Sequence, residues 1–183
     1  MKLARIGRQA MVAGATILSL ALVSAPVWAN PYKGVVPGKH DTAYMEKVFG
    51  KSLPADSEVA QGVMAVKYRD KSAHGGFIFV HCKMLDGRII DIVQPLPPGR
   101  ASELGKVLET KYSKEKVAYV SSDHDGGFST AYYFPDRGEA LIVKGHNVES
   151  IVHYDKAMNP RIKANNPTVQ VRALIESSYA DVD

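Results

Sequence analysis

Asp123-His124-Asp125-Gly126-Gly127 is the densest run of chemistry-bearing residues in the chain. Alternating acids beside glycine are oxygen donors of the kind that hold calcium. A calcium loop also needs a bidentate glutamate at its twelfth position, and the twelfth residue counted from Asp123 is Phe134. A phosphate cradle needs its glycines between a strand and a helix, whereas a strand pattern follows Gly127. The glycines therefore read as turn residues.

Six histidines, His40, His74, His81, His124, His146 and His153, supply further titratable groups. None pairs at the close spacing that marks a zinc site, so neither a metal nor a cofactor is expected. His74, His124 and His146 fall in expected turns. If those turns share one edge of a sheet, they and the acids Asp123 and Asp125 are the candidate contacts for a ligand or partner. Their simpler reading is as solvated loop residues.

His81 and Cys82 suggest a base beside a nucleophile, but both lie in a strand pattern, Phe77 to Met84. Successive strand side chains point to opposite faces. Cys82 then shares a face with Ile78, Val80 and Met84 and reads as a small buried hydrophobe. No Gly-x-Ser-x-Gly elbow is present.

Residues 1–29 read as a secretory signal peptide. Lys2, Arg5 and Arg8 precede an uncharged apolar run from Ala10 to Val23, then Pro26 and the small-residue pattern Val27-Trp28-Ala29. Cleavage is expected after Ala29. The run is short of the roughly 20 residues a membrane span needs, so no span is expected in the mature chain, and the protein reads as periplasmic or secreted. The whole chain has 23 Lys and Arg against 19 Asp and Glu. Three of those cations leave with the signal, so the mature chain is nearly neutral. Its cations are interspersed with acids along the sequence, which argues against nucleic acid as partner.

The remaining residues, 30–183, form one domain. With 45% apolar and 23% charged residues the chain is neither disordered nor fibrous. A single cysteine excludes an intramolecular disulfide.

The elements that position these groups read as follows. Asp41 is an N-cap for a helix presenting Tyr44, Met45, Val48 and Phe49 and ending at Gly50. Strands are expected over 61–68, 77–84 and 88–93. Asp86-Gly87 forms a type I′ hairpin turn between the last two. A second helix over 102–112 starts at Ser102 and buries Leu104, Val107 and Leu108. Four strands follow, near 116–121, 127–134, 139–144 and 148–154. In the second of these segments, Phe128, Thr130, Tyr132 and Phe134 share one face, and Ser129, Ala131 and Tyr133 the other. Asn166-Pro167 opens a C-terminal helix over 167–180.

The fold class is α+β: an antiparallel sheet with helices packed on one side. At an offset of 51 residues Gly75-Gly76-Phe77 matches Gly126-Gly127-Phe128, and Gly87 matches Gly138. This suggests two duplicated helix-plus-meander units, 41–94 and 101–155. The functional expectation is an exported, non-catalytic binding module of the bacterial envelope, contacting an envelope protein or a small ligand. The alternatives are a small hydrolase or metal-dependent enzyme built on the turn His and Asp residues, and a carrier of a small apolar ligand.

Protein isolated from the envelope of its native cells is expected to begin at Asn30, as read by N-terminal sequencing. A chain that still begins at Met1 in the cytosolic fraction contradicts export.

Overall fold

The computed structural model describes residues 31–53, 57–71, 77–124 and 126–180. The expected leader, His74 and Asp125 lie outside the described residues. The first half runs α1 (Thr42–Phe49), β1 (Ser57–Ala60), β2 (Val63–Lys71), β3 (Phe77–Leu85) and β4 (Arg88–Pro95). The second half runs α2 (Leu104–Val107), β5 (Val117–His124), β6 (Ser129–Phe134), β7 (Glu139–Lys144) and β8 (Asn147–Tyr154). A π-helical turn, Leu108–Tyr112, prolongs α2. The chain closes with α3 (Asn159–Asn165), β9 (Thr168–Gln170) and α4 (Val171–Ala180).

All nine strands form one antiparallel sheet in the order β1-β2-β3-β4-β8-β7-β6-β5-β9. Each half is a meander because each of its strands returns beside the one before. Asp86 and Gly87 both take positive φ, 51° and 75°, and Leu85 pairs with Arg88 across them. That is the two-residue turn the sequence predicts. The halves meet where β4 pairs with β8, from Asp91 opposite Tyr154 to Pro95 opposite Ser150.

Alternation along the strands sends two apolar sets to one face. Val66, Tyr68, Val80, Cys82, Ile89 and Ile92 pack with Met45 of α1 and with Tyr32 and Val35. Leu141, Val143, Val148, Ile151 and Phe134 pack with Leu104, Val107, Leu108 and Tyr112 of the second helix, and with Val171 and Leu174 of α4. Three helices thus share this face. Asp41 caps α1 by accepting from the Tyr44 N–H at 2.9 Å, and Gly50 ends it at φ 83°. Burying a side chain the size of Met45 stabilises by about 1.5–3 kcal/mol. Gly105 lets α4 approach α2: a Cβ there would lie 2.5 Å from Ser178 Oγ.

Several local expectations are corrected. Ser102 does not cap α2; its hydroxyl donates to the Gly99 carbonyl at 2.7 Å within a 3₁₀ turn, and α2 starts two residues later. Asn166-Pro167 does not open the C-terminal helix. Residues 168–170 pair with Val117–Tyr119 as β9, because the outer edge of β5 otherwise leaves its backbone groups unpaired. Helix α4 then begins at Val171. Asn159-Pro160 starts a helix instead, with proline in its first turn. Residues 57–60 form a further strand, β1, that the sequence pattern does not predict. The 51-residue offset matches Gly87, in the β3–β4 turn, to Gly138, in the β6–β7 turn. By sheet position the β3–β4 turn answers to the β7–β8 turn, so that offset does not superpose equivalent strands.

A polar junction lies on the helix face beside the β4–β8 pairing. The buried Glu139 accepts from Tyr112 Oη at 2.9 Å and from Arg137 Nε at 2.8 Å. The Arg137 guanidinium stacks 4.7 Å from the Tyr112 ring centroid. His153 Nδ1 lies 3.6 Å from Glu139 Oε1, and its ring stacks on Tyr32, whose hydroxyl donates to Asp70 at 2.8 Å. Burial alone would raise Glu139. The hydrogen bond and charge of Arg137, the charge of His153 and the Tyr112 hydrogen bond outweigh it and hold the carboxyl below its ordinary value.

A depressed folded-state pKa gives stability that is complete above the unfolded value and is lost as pH falls through the folded one. Arg137→Met is therefore expected to cost about 1–3 kcal/mol at neutral pH, by leaving Glu139 buried without its main donor. The gap from the parent protein should narrow in acid, where Glu139 is protonated. Urea denaturation at a series of pH values measures both; a gap independent of pH would show that Glu139 is not the group involved.

Candidate functional site

The second face of the sheet is covered only in part. Asp155 accepts from the Ala157 N–H at 3.0 Å and starts a 3₁₀ turn, Lys156–Met158, which leads into α3. Ile162 of α3 is buried against Ala140 and Tyr154, with Tyr119, Tyr133 and Val152 beside them. Asn166 Nδ2 donates back to the Ile162 carbonyl at 2.9 Å and closes the helix end. Seven residues of helix thus cap the β6–β7–β8 part of this face.

A cavity of about 350 Å³ opens beside the cap. Its apolar walls are Val93, Val152, Ala140 and Ile142 from three strands, with Met158 and Ile162 from the cap. Tyr133 and Tyr154 add aromatic rings, and Lys83, Asp91, His124 and Glu149 add charge or a titratable ring. The size falls within the range of small-molecule sites, which combine apolar walls with a few polar groups.

The strands fix these groups. Lys83 and Asp91 stand opposite each other on β3 and β4. Asp91 accepts from the Lys83 backbone N–H at 3.0 Å, and its other oxygen lies 3.3 Å from Lys83 Nζ. Tyr154 comes from the seam strand β8, directly opposite Asp91. Its hydroxyl is buried and has no hydrogen-bond partner among the described residues. Burial, with the nearby Tyr133, Asp136 and Glu139, pushes this phenol far above its ordinary value. It is a neutral hydroxyl at any physiological pH.

Of the five residues singled out from sequence, His124 lines the cavity. It ends β5 opposite Ser129 rather than sitting in the turn. Asp123 is also in β5. His146 is exposed in the β7–β8 turn. The β5–β6 and β7–β8 turns do share one sheet edge, with the end of β2 and the start of β3 on that edge as well. Neighbouring strands are about 4.8 Å apart, so the two turns, two strands apart, are separated by roughly 10 Å. Among the described residues no three His, Cys, Asp or Glu side chains come together to hold a metal ion. Ser113 and Lys116 have Ser-x-x-Lys spacing, but both are exposed on the turn before β5, with no helix to align them. Cys82 is in the helix-side core, where burial pushes its thiol well up.

The sequence reading misses Tyr154, Val152, Val93 and Lys83 as site residues. The available signal is alternation: the β8 positions 150, 152 and 154 share a face, and Lys83 and Asp91 face each other across a hairpin already legible in the sequence.

A buried hydroxyl without a partner costs about 1–3 kcal/mol. Tyr154→Phe is therefore expected to leave the ligand-free protein as stable or up to about 1 kcal/mol more stable. Chemical denaturation measures it; a loss of stability of that size would show that the hydroxyl is satisfied within the protein.

In comparison with known proteins, the chain matches no family model, no curated protein and no solved structure, so the chemistry of its own residues carries the functional argument.

Proposed function

We propose that this chain is an exported, non-catalytic binding module that holds a small, largely apolar ligand in the cavity on the second face of its sheet. The observation that carries the reading is the cavity itself: about 350 Å³, walled by aliphatic and tyrosine side chains and bordered by Lys83, Asp91, His124, Glu149 and Ser150. A ligand gains by removing apolar surface from water, at about 25 cal/mol per Å². The walls belong mainly to paired strands, so the site is formed before the ligand arrives, and little ordering cost opposes binding. Export is the part of the proposal that rests on the leader alone.

This reading joins two sequence expectations, the binding module and the carrier of an apolar ligand. Support for a hydrolase is weaker. Of its intended residues, His124 is the one among the described residues that borders the cavity, and the nearby Asp91 carboxylate is engaged by Lys83.

The uncharged fluorophore N-phenylnaphthylamine is the test probe. It is expected to bind saturably, one molecule per chain, with a rise in emission, and to be displaced by octanol. Val152→Phe, which puts a ring into the cavity from β8, should abolish uptake while the far-ultraviolet circular dichroism is unchanged. Uptake that does not saturate, or that survives Val152→Phe, would rule out the cavity as the site.

A further inference from the structure

Strand alternation sorts charges that are interspersed along the sequence. In β2, Val66, Tyr68 and Asp70 are buried on the helix face, so Lys67, Arg69 and Lys71 lie on the other. On β3, His81 stands opposite Lys67 and Phe79 opposite Arg69, and both are exposed. Lys83 follows on the same face. Lys67 Nζ lies 5.5 Å from the Phe79 ring centroid. Among the described residues of β2, β3 and β4, the one acid on this face is Asp91, already engaged by Lys83. A chain whose cations and acids are interspersed along the sequence thus carries a basic surface with an exposed aromatic ring at its centre.

This surface is continuous with the cavity. His81 pairs with Val93, and Val93 pairs with Val152; both valines are cavity walls. Lys83 stands at the boundary, two residues after His81 and opposite Asp91. Lys67 stands opposite His81, two residues before Lys83; such diagonal neighbours are roughly 7–8 Å apart, so their amines are within reach of one head group at the cavity mouth. Burial and the Lys67 charge both lower His81, in keeping with a positive local field.

We propose that the ligand is a single anionic amphiphile, its apolar part in the cavity and its oxyanion head on Lys67, Arg69, His81 and Lys83. The inference rests on the cavity reading and adds the sign and place of the charge. Complementarity of charge is its basis: the apolar walls alone do not select for charge, while the described residues of β2, β3 and β4 put four basic side chains on this face against one acid, Asp91, which Lys83 engages; the cavity's other acid, Glu149, comes from β8.

The experiment compares octyl phosphate, octanol and inorganic phosphate by isothermal titration with the mature protein, at two salt concentrations. Octyl phosphate is expected to bind one to one, more tightly than octanol, and to weaken as salt rises. The double variant Lys67→Gln, Arg69→Gln should weaken octyl phosphate about five- to tenfold, the size expected of two exposed ion pairs, and leave octanol unchanged. Equal binding of octanol and octyl phosphate, or no response to the double variant, overturns the charge assignment while the cavity reading stands. Inorganic phosphate binding as tightly as octyl phosphate overturns the amphiphile, since the apolar part would add nothing. If neither octanol nor octyl phosphate binds, the cavity reading itself has failed. Protein captured by phosphatidylglycerol vesicles but not saturated by octyl phosphate identifies a membrane surface and overturns the single-molecule ligand.

Discussion

The antiparallel pairing of β4 with β8 is the constraint on which the rest of the molecule depends. Without it each half would be a four-stranded meander with a bare central edge, and such edges recruit other strands. With it, the two helix-side cores lie side by side on one face, and the Glu139–His153 junction is enclosed between them. On the other face the same pairing sets Asp91 against Tyr154 and Val93 against Val152. Both the polar junction and the cavity are therefore products of one register. A slip by one residue would exchange the two faces of a strand, exposing Ile92 and burying Asp91.

The local features legible in the sequence are those fixed by local physics. Asp41 and Gly50 bound α1 because the orphan N–H and C=O groups of a helix need partners within a few residues. Asp86-Gly87 makes its hairpin because both residues tolerate positive φ. The errors arise where a distant demand overrides a local preference. Asn166-Pro167 is a sound helix start in isolation, yet the next three residues pair with the open edge of β5. Ser102 has a capping hydroxyl, yet it turns back to Gly99. The 51-residue match aligns glycines that serve different turns, since any tight hairpin asks for glycine whatever its place in the sheet.

The candidate site is less legible for the same reason. Its lining comes from β3, β4, β5, β6, β7, β8 and the α3 cap, and no short motif spans them. Among the described residues, His124 is the one candidate from the sequence that is present at the cavity. The basic surface, by contrast, is written in the sequence once a strand is assumed: Lys67-x-Arg69-x-Lys71 places three cations on one face. Counting charges along the chain conceals this, because Asp70, between two of them, points to the opposite side and is spent on Tyr32 and Lys33.

The position of the cavity follows from how the second face is divided. Around β6, β7 and β8 that face presents Tyr133, Ala140, Ile142 and Val152, apolar surface that water disfavours, and α3 covers it with Ile162. Around β2 and β3 the face presents Lys67, Arg69, His81 and Lys83, which need water and would lose solvation beneath a helix. A short cap is thus the stable solution: a longer helix would bury charge, and none would expose the tyrosine and aliphatic side chains. Such a cap ends where the polarity changes, and the space beside it has a wall of aliphatic and tyrosine side chains and a border of charged ones, Lys83 and Asp91 among them. The hollow requires no separate device to create it; it is the boundary between two halves of one face that differ in which side chains alternation delivers to them.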